Sequence, residues 1–217
     1  MENKHSLGAM RQSYELADLS DAAKTMAPLD LFSEWFSQAD THSEIEEANA
    51  MSLVTLGTDG YPKARVVLLK HFDREGFVFY TNYKSDKGQA IAADSKVGIS
   101  FFWPALQRQI IIQGQAEKLP AEASDAYFDS RPLGSRMGAW VSPQSQVIAN
   151  REVLETRLQE IEKKYAHSAP KRPDHWGGYV VKPFSIEFWQ GRPNRLHDRL
   201  LFTQSDDLQW SAQRLAP

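Results

Sequence analysis

The sequence predicts a mainly β protein with inserted helices, in which antiparallel strands close into a barrel. Successive β-prone segments are separated by turn signals, Thr-Asp-Gly at 58–60 and Arg-Glu-Gly at 74–76, which is typical of hairpins. Helical patterns interrupt these hairpins and do not alternate with strands from the start, which argues against a doubly wound parallel sheet. Six to eight strands in sequential hairpins instead favour a closed antiparallel barrel.

The individual elements follow from periodicity. A helix begins at Pro28, because Leu29, Phe32 and Trp35 recur at helical spacing behind a proline in the first turn. We expect strands over 51–58, 65–72, 77–81, 96–103, 108–118, 185–190, 199–203 and 208–215, and further helices over 85–94, 121–131 and about 146–165. Residues 1–27 are polar and are predicted to form a mobile N-terminal segment, either functional or simply a frayed tail. Residues 28–217 are predicted to form one domain.

Composition excludes several classes of protein. The 217 residues include no cysteine, which excludes disulfides, iron–sulfur sites held by cysteine and thiol nucleophiles. The net charge of −3 argues against a nucleic-acid-binding protein. Residues 61–217 nevertheless hold 22 basic and 17 acidic residues, so basic groups are available for a small anionic ligand. The first residues lack the apolar core of a signal peptide, and we expect a cytoplasmic protein.

Familiar nucleotide and catalytic motifs are missing. There is no glycine-rich phosphate loop of the dinucleotide-binding or P-loop type, and no nucleophile elbow. The six histidines show no metal-binding spacing, so no metal site is predicted. A phosphorylated ligand would therefore be bound by arginine, lysine and hydroxyl side chains.

The first cluster of such residues flanks an apolar strand. Arg65 and Lys70 stand at its two ends, and alternation places them on opposite faces unless a bulge intervenes. They would present cations to an anion or a planar ring. The alternative is a pair of surface charges at the ends of a core strand.

The second cluster lies where a strand leads into a helix. Tyr80 and Thr81 precede a helix start that carries Lys84 and Lys87. Free N–H groups at a helix N-terminus favour a phosphate there. The alternative is that Ser85 is a plain N-cap.

The third cluster lies at the end of a predicted helix. Tyr127 and Arg131 are four residues apart and share a face, and Ser135 follows in a Pro/Gly loop. A phenol, a guanidinium and a hydroxyl that converge could hold a monophosphate. The alternative is an arginine that only interacts with the helix C-terminus.

The fourth cluster, at 189–199, is the densest. If the segment is extended, Arg195, His197 and Arg199 point the same way, and adjacent cations repel one another unless an anion is bound there. We therefore predict that this segment is functional, together with Trp189 at its start. Weaker candidates, which alone would be ordinary polar residues, are Gln109, Gln144 and Ser145.

Together these segments resemble the pyridoxine/pyridoxamine 5'-phosphate oxidases, an FMN-dependent family. The match extends from about Arg11 to the C-terminal Arg-Leu-Ala-Pro. It rests on six motifs in order: RVVLLK, FYTN, SRP, GAWVSPQS, FWQG and RLHDR. A single motif would be weak, but their joint order and spacing make the resemblance specific.

The resemblance implies a fold and an activity. The fold is the split antiparallel β-barrel of FMN-binding proteins, with 28–217 as one FMN-binding domain that includes a C-terminal dimerisation and substrate region. The protein is implied to be a homodimer with FMN at the interface. The activity is oxidation of pyridoxamine 5'-phosphate and pyridoxine 5'-phosphate to pyridoxal 5'-phosphate, in vitamin B6 biosynthesis and salvage. The resemblance further implies that a hydride passes from C4′ to FMN N5 and that O2 reoxidises the flavin to give H2O2, with ammonia released from the amine.

The resemblance also implies roles for individual residues. Those matched to FMN are Arg65, Val66, Val67, Leu68, Leu69, Lys70, Tyr80, Thr81, Lys87, Gln109, Gln144, Ser145, Trp189 and Arg199. Those matched to the substrate are Arg11, Tyr14, Lys70, Tyr127, Arg131, Ser135, Arg195 and His197. Arg195 and His197 lie over the substrate ring in this reading and are the candidate catalytic residues.

Two positions depart from the family pattern. Asp86 stands where many members carry a basic residue beside the FMN phosphate, and Gln12 stands where the N-terminal motif often has a second arginine. Three alternatives to the oxidase stay open: a flavin reductase of the same fold, a non-catalytic carrier of FMN or pyridoxal phosphate, and a barrel without ligand. The substrate residues argue against the reductase, peroxide production would exclude the carrier, and a yellow protein would exclude the last.

Overall fold

A computed structural model of the chain describes residues 12–217, which form two compact units. The first unit comprises the described residues up to Ala48, together with Phe101–Ile111 and Ser185–Pro217. The second unit comprises Asn49–Ser100 and Ile112–Phe184. The boundaries predicted for one domain over 28–217 stay a prediction.

The helices and strands alternate irregularly along the chain. In order they are α1 (Pro28–Asp40), β1 (Ala50–Leu56), β2 (Pro62–Leu68), β3 (His71–Asp73), β4 (Gly76–Asn82), α2 (Asp86–Ala93), β5 (Lys96–Trp103), β6 (Arg108–Lys118), α3 (Ala121–Ser130), α4 (Leu133–Val141), α5 (Glu152–Lys164), β7 (Trp176–Gln190), β8 (Asp198–Gln204) and β9 (Trp210–Leu215). Along residues 12–217, no helix is long and apolar enough to cross a bilayer.

The second unit is built on an antiparallel sheet. Its strands lie in the order β2-β1-β5-β6-β7-β4-β3, and the pairs β1–β2, β1–β5, β3–β4 and β4–β7 are antiparallel. β4 is buried on both faces along most of its length, since only Tyr80 among its seven residues is part-exposed. A strand buried in this way provides a rigid base for the side chains at its end.

The first unit combines α1 with the end of β7 and the hairpin of β8 and β9. Pro28 occupies the first turn of α1, and Phe32 and Trp35 are buried on its inner face. The Phe32 ring meets Phe101 edge-on at 5.4 Å, and the Trp35 ring meets Phe188 at 5.3 Å. β8 pairs with β7 and with β9, in a register that sets Trp189 opposite Arg199.

Several predicted elements are confirmed and others are wrong. The strands over 96–103 and 108–118 have the predicted bounds. The single strand predicted over 65–72 is wrong, because β2 ends at Leu68 and a separate β3 begins at His71. The loop predicted around Ser135 is helix α4, and β7 begins nine residues before the predicted strand at Ser185. The helix predicted from about 146 begins at Glu152.

Candidate functional site

The second unit contains a cavity of about 640 Å³, which is within the usual range for small-molecule sites. It brings together residues from three of the predicted clusters. The lining residues are Val66, Val67, Leu68, Lys70, Tyr80, Thr81, Asn82, Lys87, Tyr127, Arg131, Pro132, Ser135, Gly138, Ala139, Ser142, Gln144 and Trp176.

Lys70 reaches this cavity because strand β2 ends at Leu68, just before it. The Leu69 backbone N–H donates to the Asn49 carbonyl at 2.8 Å, and the Asn49 side-chain amide donates to the Leu69 carbonyl at 3.0 Å. The Lys70 N–H then donates to the Val78 carbonyl. These bonds bury Leu69 and leave the Lys70 side chain exposed at the cavity.

Three aromatic rings form one wall of the cavity. The Tyr80 and Tyr127 rings stack at 3.8 Å, and Trp176 lies parallel to both at 5.4 and 6.2 Å. Gly178 pairs with Tyr80 across the β4–β7 ladder, and a Cβ there would lie 2.8 Å from the Tyr80 ring. The glycine is therefore needed for the Tyr80 ring to lie flat against the sheet.

Arg131 provides the cation nearest this wall. Its guanidinium lies 4.5 Å from the centre of the Trp176 ring, a cation–π contact. Its Nη1 atom is buried without a hydrogen-bond partner among the described residues. A buried charged donor is normally paired, so this atom marks a place for an anionic acceptor.

The groups beside Arg131 suit the same anion. Burial raises the pKa of the Tyr127 phenol, so the phenol stays protonated at neutral pH and can donate. Ser135 lies in the first turn of α4 and not in the predicted loop. A Cβ at Gly138, one turn further, would meet no atom within 4 Å, so this face of α4 is open to the cavity.

Lys87 lies on α2 at another part of the cavity lining. Ser85 is the N-cap of this helix, since its hydroxyl accepts from the Gly88 N–H at 3.3 Å. The Lys87 ammonium and the Thr81 hydroxyl both donate to Gln144 Oε1, at 3.3 and 3.4 Å. Burial, and then the charge of Arg65, lower the pKa of Lys87. An anionic ligand would offset both effects, because its charge stabilises the ammonium form of Lys87.

Asp86 supplies a negative charge next to these cations. Its carboxylate acts to raise the pKa values of Lys63, Arg65 and Lys87 through its charge. Asp86 is exposed and is the first residue of α2. It is not among the residues that line the cavity.

Three predicted residues of the second unit are not among the residues that line this cavity. Arg65 donates from Nη1 to the Thr55 hydroxyl at 2.7 Å and to the Leu53 carbonyl at 3.3 Å, so its guanidinium is held against β1. Leu69 is part of the core. Ser145 has a left-handed backbone with a φ of 69°, in the turn that follows α4.

The first unit has a cavity of its own, of about 580 Å³. Three of the predicted site residues line it, Tyr14, Arg195 and His197. The other lining residues are Gln12, Ser13, Arg192 and Asn194. The His197 ring lies 4.6 Å from Trp189 and 5.9 Å from Tyr14. Burial, and then the charge of Arg195, lower the pKa of His197. Arg11 lies outside the described residues.

The segment 195–199 is not extended throughout, so the condition for Arg195, His197 and Arg199 to point the same way is not met. Residues Pro193–Arg195 form a 3-10 turn, in which Asn194 and Arg195 have φ values of 57° and 61°. This conformation is uncommon for arginine. Arg199 lies on β8 and forms two hydrogen bonds to the Glu187 carboxylate, at 2.7 and 3.1 Å. Arg199 is therefore paired with a carboxylate, whereas Arg195 still disfavours the charged form of His197. Two other residues that the prediction matched to FMN, Gln109 and Trp189, also belong to the first unit.

Several residues that line these cavities were not predicted, among them Trp176 and Arg192. Trp176 was missed, although the run Trp-Gly-Gly at 176–178 is a usable signal, because consecutive glycines in a strand mark close approach of other groups. Arg192 lies within the fourth cluster, at 189–199, but was given no role in the prediction. Residues 12–217 contain no group of three or more side chains that could hold a metal ion.

Two family models match the chain. Residues 38–165 match a model described as pyridoxamine 5'-phosphate oxidase. Residues 176–217 match a model described as the pyridoxine 5'-phosphate oxidase C-terminal dimerisation region, which supports a homodimer.

Whole-chain comparisons agree with these models. A pyridoxine/pyridoxamine 5'-phosphate oxidase of Flavobacterium psychrophilum is 51% identical over 97% of this chain and 99% of its own length. One of Pseudomonas paraeruginosa is 51% identical over 98% of this chain and 99% of its own. The crystal structure of PhzG from Burkholderia lata, in complex with tetrahydrophenazine-1-carboxylic acid, has a TM-score of 0.85 at 27% identity, covering 94% of this chain and 100% of that one.

A more distant structure shares the fold. An FMN-binding protein of Nostoc punctiforme related to pyridoxamine 5'-phosphate oxidase has a TM-score of 0.70 at 17% identity, covering 89% of this chain and 100% of that one. These neighbours confirm the predicted split-barrel fold class. The chain belongs to the pyridoxine/pyridoxamine 5'-phosphate oxidase family, whose members are FMN-dependent oxidoreductases, as the six sequence motifs predicted.

Proposed function

We propose that this chain oxidises pyridoxamine 5'-phosphate and pyridoxine 5'-phosphate to pyridoxal 5'-phosphate. The observation that carries the proposal is the buried, unpartnered Nη1 of Arg131 in the cavity of the second unit. Tyr127, Ser135 and Lys70 line the same cavity, and together they offer a phosphate two cations and two hydroxyl donors.

The same cavity has donors that fit FMN. Lys87, Thr81 and Gln144 form a hydrogen-bonded set on the cavity wall, and Val66, Val67 and Leu68 give that wall an apolar strand. We propose that Lys87 and Thr81 bind the FMN phosphate and that the Val66–Leu68 strand supports the flavin ring. Bound FMN would supply the redox chemistry, by accepting a hydride equivalent from C4′ at N5 and passing the electrons to O2, which gives H2O2.

Binding of the phosphate orients the reacting carbon. Arg131 and Lys70 lie remote from the chemistry, so their binding energy serves to place the rest of the substrate. Arg195 and His197 are proposed to cover the substrate ring, with Arg195 stabilising charge as the C4′ hydrogen leaves. No side chain is assigned as a general base.

Other parts of the proposal concern assembly and location. We propose a homodimer with FMN at the subunit interface, in which Gln109, Trp189 and Arg199 contribute flavin contacts and Arg11 and Tyr14 contribute to substrate binding. We also propose a cytoplasmic enzyme of vitamin B6 biosynthesis and salvage, with ammonia released from the amine substrate.

A turnover assay tests the reaction. Purified protein with saturating FMN is given pyridoxamine 5'-phosphate, and aldehyde and peroxide are followed together. We expect them to form in equal amounts. Bound FMN without turnover would contradict the proposed substrate and favour a carrier, or a flavin reductase of the same fold.

A further inference from the structure

The cavity of the first unit depends on a short loop that carries its two candidate catalytic residues. Arg195 has a left-handed backbone and is exposed, and His197 is half-buried two residues later. Strained backbone of this kind persists only where surrounding contacts hold it. The contacts that hold this loop therefore determine where Arg195 and His197 point.

Arg192 makes the contact that fixes the histidine ring. Its backbone N–H donates to His197 Nδ1 at 3.0 Å. A backbone N–H can only donate, so Nδ1 must carry its lone pair, and the neutral ring must bear its proton on Nε2. Doubly protonated imidazolium would set Nδ1–H against the Arg192 N–H. The lowered pKa of His197 agrees with this in direction.

The Arg192 side chain makes a second set of contacts, with the N-terminal segment. Its Nη1 donates to the Ala17 carbonyl at 3.1 Å, and its Nε lies 3.5 Å from Asp198 Oδ2. The same Asp198 oxygen accepts from the Leu19 N–H at 3.1 Å. Residues 17–19 are thus held to the loop by the Arg192 guanidinium and the Asp198 carboxylate. The Arg214 guanidinium adds hydrogen bonds to the Leu19 carbonyl and to Asp198 Oδ1, both at 2.7 Å.

That segment positions Tyr14. The Tyr14 ring meets Trp189 edge-on at 5.9 Å and lies 5.9 Å from His197. A Cβ at Gly191 would lie 2.7 Å from the Tyr14 ring, so the ring rests directly on the loop backbone. Arg192 therefore contacts both sides of this cavity, the segment that carries Tyr14 and the loop that carries His197.

We propose that Arg192 is a positioning residue for the oxidase reaction: its backbone N–H holds His197 as the Nε2–H tautomer, and its guanidinium holds the Tyr14 segment against the same loop. The inference rests on the proposed function. It specifies that His197 donates a hydrogen bond from Nε2, so its substrate partner must be an acceptor, such as the oxygen of the hydroxyl group on the pyridine ring. A proton relay in which Nε2 acts as a base is incompatible with this tautomer.

The first test is a measurement of the tautomer, which does not depend on activity. The wild-type holoenzyme is prepared with 15N-labelled histidine, and the His197 signals are assigned as those lost in His197→Gln. We expect a pyridine-type Nδ1 and a pyrrole-type Nε2 at pH 8. A protonated Nδ1, or an averaged pair of signals, would overturn the assignment of His197.

The second test separates the side chain from the backbone. Arg192→Leu removes the guanidinium but keeps the N–H, so we expect the tautomer signals to persist while the Michaelis constant for pyridoxamine 5'-phosphate rises about tenfold, with kcat and FMN affinity within twofold. Amide hydrogen exchange over 12–20 should accelerate. Arg192→Lys, which can still reach one carbonyl, should restore part of the affinity.

A matched control and a contrary result complete the test. Arg151→Leu removes an arginine whose side chain is 87% exposed and paired only along its own helix, and should change neither KM nor exchange. An unchanged KM in Arg192→Leu, or a parallel loss of FMN, would contradict the role of Arg192. Absence of wild-type turnover would contradict the proposed function alone, because the NMR and exchange measurements need no substrate.

Discussion

The two cavities are built in different ways. The cavity of the second unit is lined by regular elements: the end of a buried strand, the capped start of α2, and residues of helices α3 and α4. The cavity of the first unit is lined by a 3-10 turn with two left-handed residues and by a segment without regular structure. The first kind of site is preorganised by packing, whereas the second depends on a few hydrogen bonds.

This difference predicts different responses to substitution. In the second unit, removal of a charged side chain should weaken binding of a ligand and leave the site otherwise intact, because the scaffold is rigid. In the first unit, substitutions should also change the position or protonation of neighbouring groups. The predictions below test this contrast, beginning with the largest effect.

Arg131→Ala tests the phosphate site. Loss of a buried charged donor costs about 2–5 kcal/mol, so the Michaelis constant for pyridoxamine 5'-phosphate should rise about 100-fold. FMN affinity should stay within a few-fold of the wild type. Steady-state kinetics and a flavin fluorescence titration measure the two quantities. Unchanged substrate affinity would remove Arg131 from the phosphate site.

Lys87→Met tests the proposed FMN phosphate contact. The substitution keeps the length of the chain but removes the charge, and the loss of one charge-assisted hydrogen bond should weaken FMN binding about tenfold. Equilibrium dialysis of FMN measures the change. Lys84→Met, on an exposed neighbouring lysine outside this cavity lining, is the control and should have little effect. Equal losses in both variants would mean that only net charge matters.

Asp86→Asn tests the departure from the family pattern. The exposed carboxylate lies close enough to Lys63, Arg65 and Lys87 to affect all three, so removing its charge should tighten FMN binding two- to threefold. The effect should fade at high salt, since exposed charges are screened. If FMN binding weakens instead, Asp86 has a positive role that its charge does not explain.

Arg195→Leu should change the titration of His197 in the cavity of the first unit. In the wild type the pKa of His197 lies below 6.5, because burial and the Arg195 charge both disfavour the imidazolium. As the pH falls through 6.5, the His197 imidazole therefore gains a proton in the unfolded chain before it does so in the folded chain. Any stability that the neutral ring contributes is lost as the pH falls further. Removing Arg195 should raise the pKa toward 6.5, which an NMR titration would show. A pKa that stays the same would leave burial as the sole cause.

The same contrast explains how much of the molecule could be predicted from sequence. The strands over 96–103 and 108–118 alternate regularly and were predicted to the residue, and the N-cap alternative for Ser85 is confirmed. The convergence of Tyr127, Arg131 and Ser135 in one cavity also followed the prediction. These features could be predicted because residue periodicity and helix capping are local properties of the sequence.

The failures involve contacts that periodicity does not record. The break after Leu68 depends on Asn49, a residue far away in sequence. α4 contains Gly134 and Gly138 behind a proline, so its composition resembles a loop. The turn at 193–195 depends on left-handed residues other than glycine, and the ion pair between Arg199 and Glu187 depends on strand register. The break after Leu68 and the Arg199 ion pair are determined by tertiary contacts, whereas α4 was missed because of its composition.

The most direct test of the account is anaerobic reduction of the bound flavin in a single turnover. Stopped-flow absorbance would follow the wild type, Arg131→Ala and Arg195→Leu after mixing with pyridoxamine 5'-phosphate. We expect Arg131→Ala to reach nearly the wild-type limiting rate, but only at about 100-fold higher substrate. Arg195→Leu should keep its FMN affinity, with a limiting rate about 100-fold lower even at saturating substrate. A wild-type flavin that is not reduced, or variants that lose rate and affinity in parallel, would contradict the account.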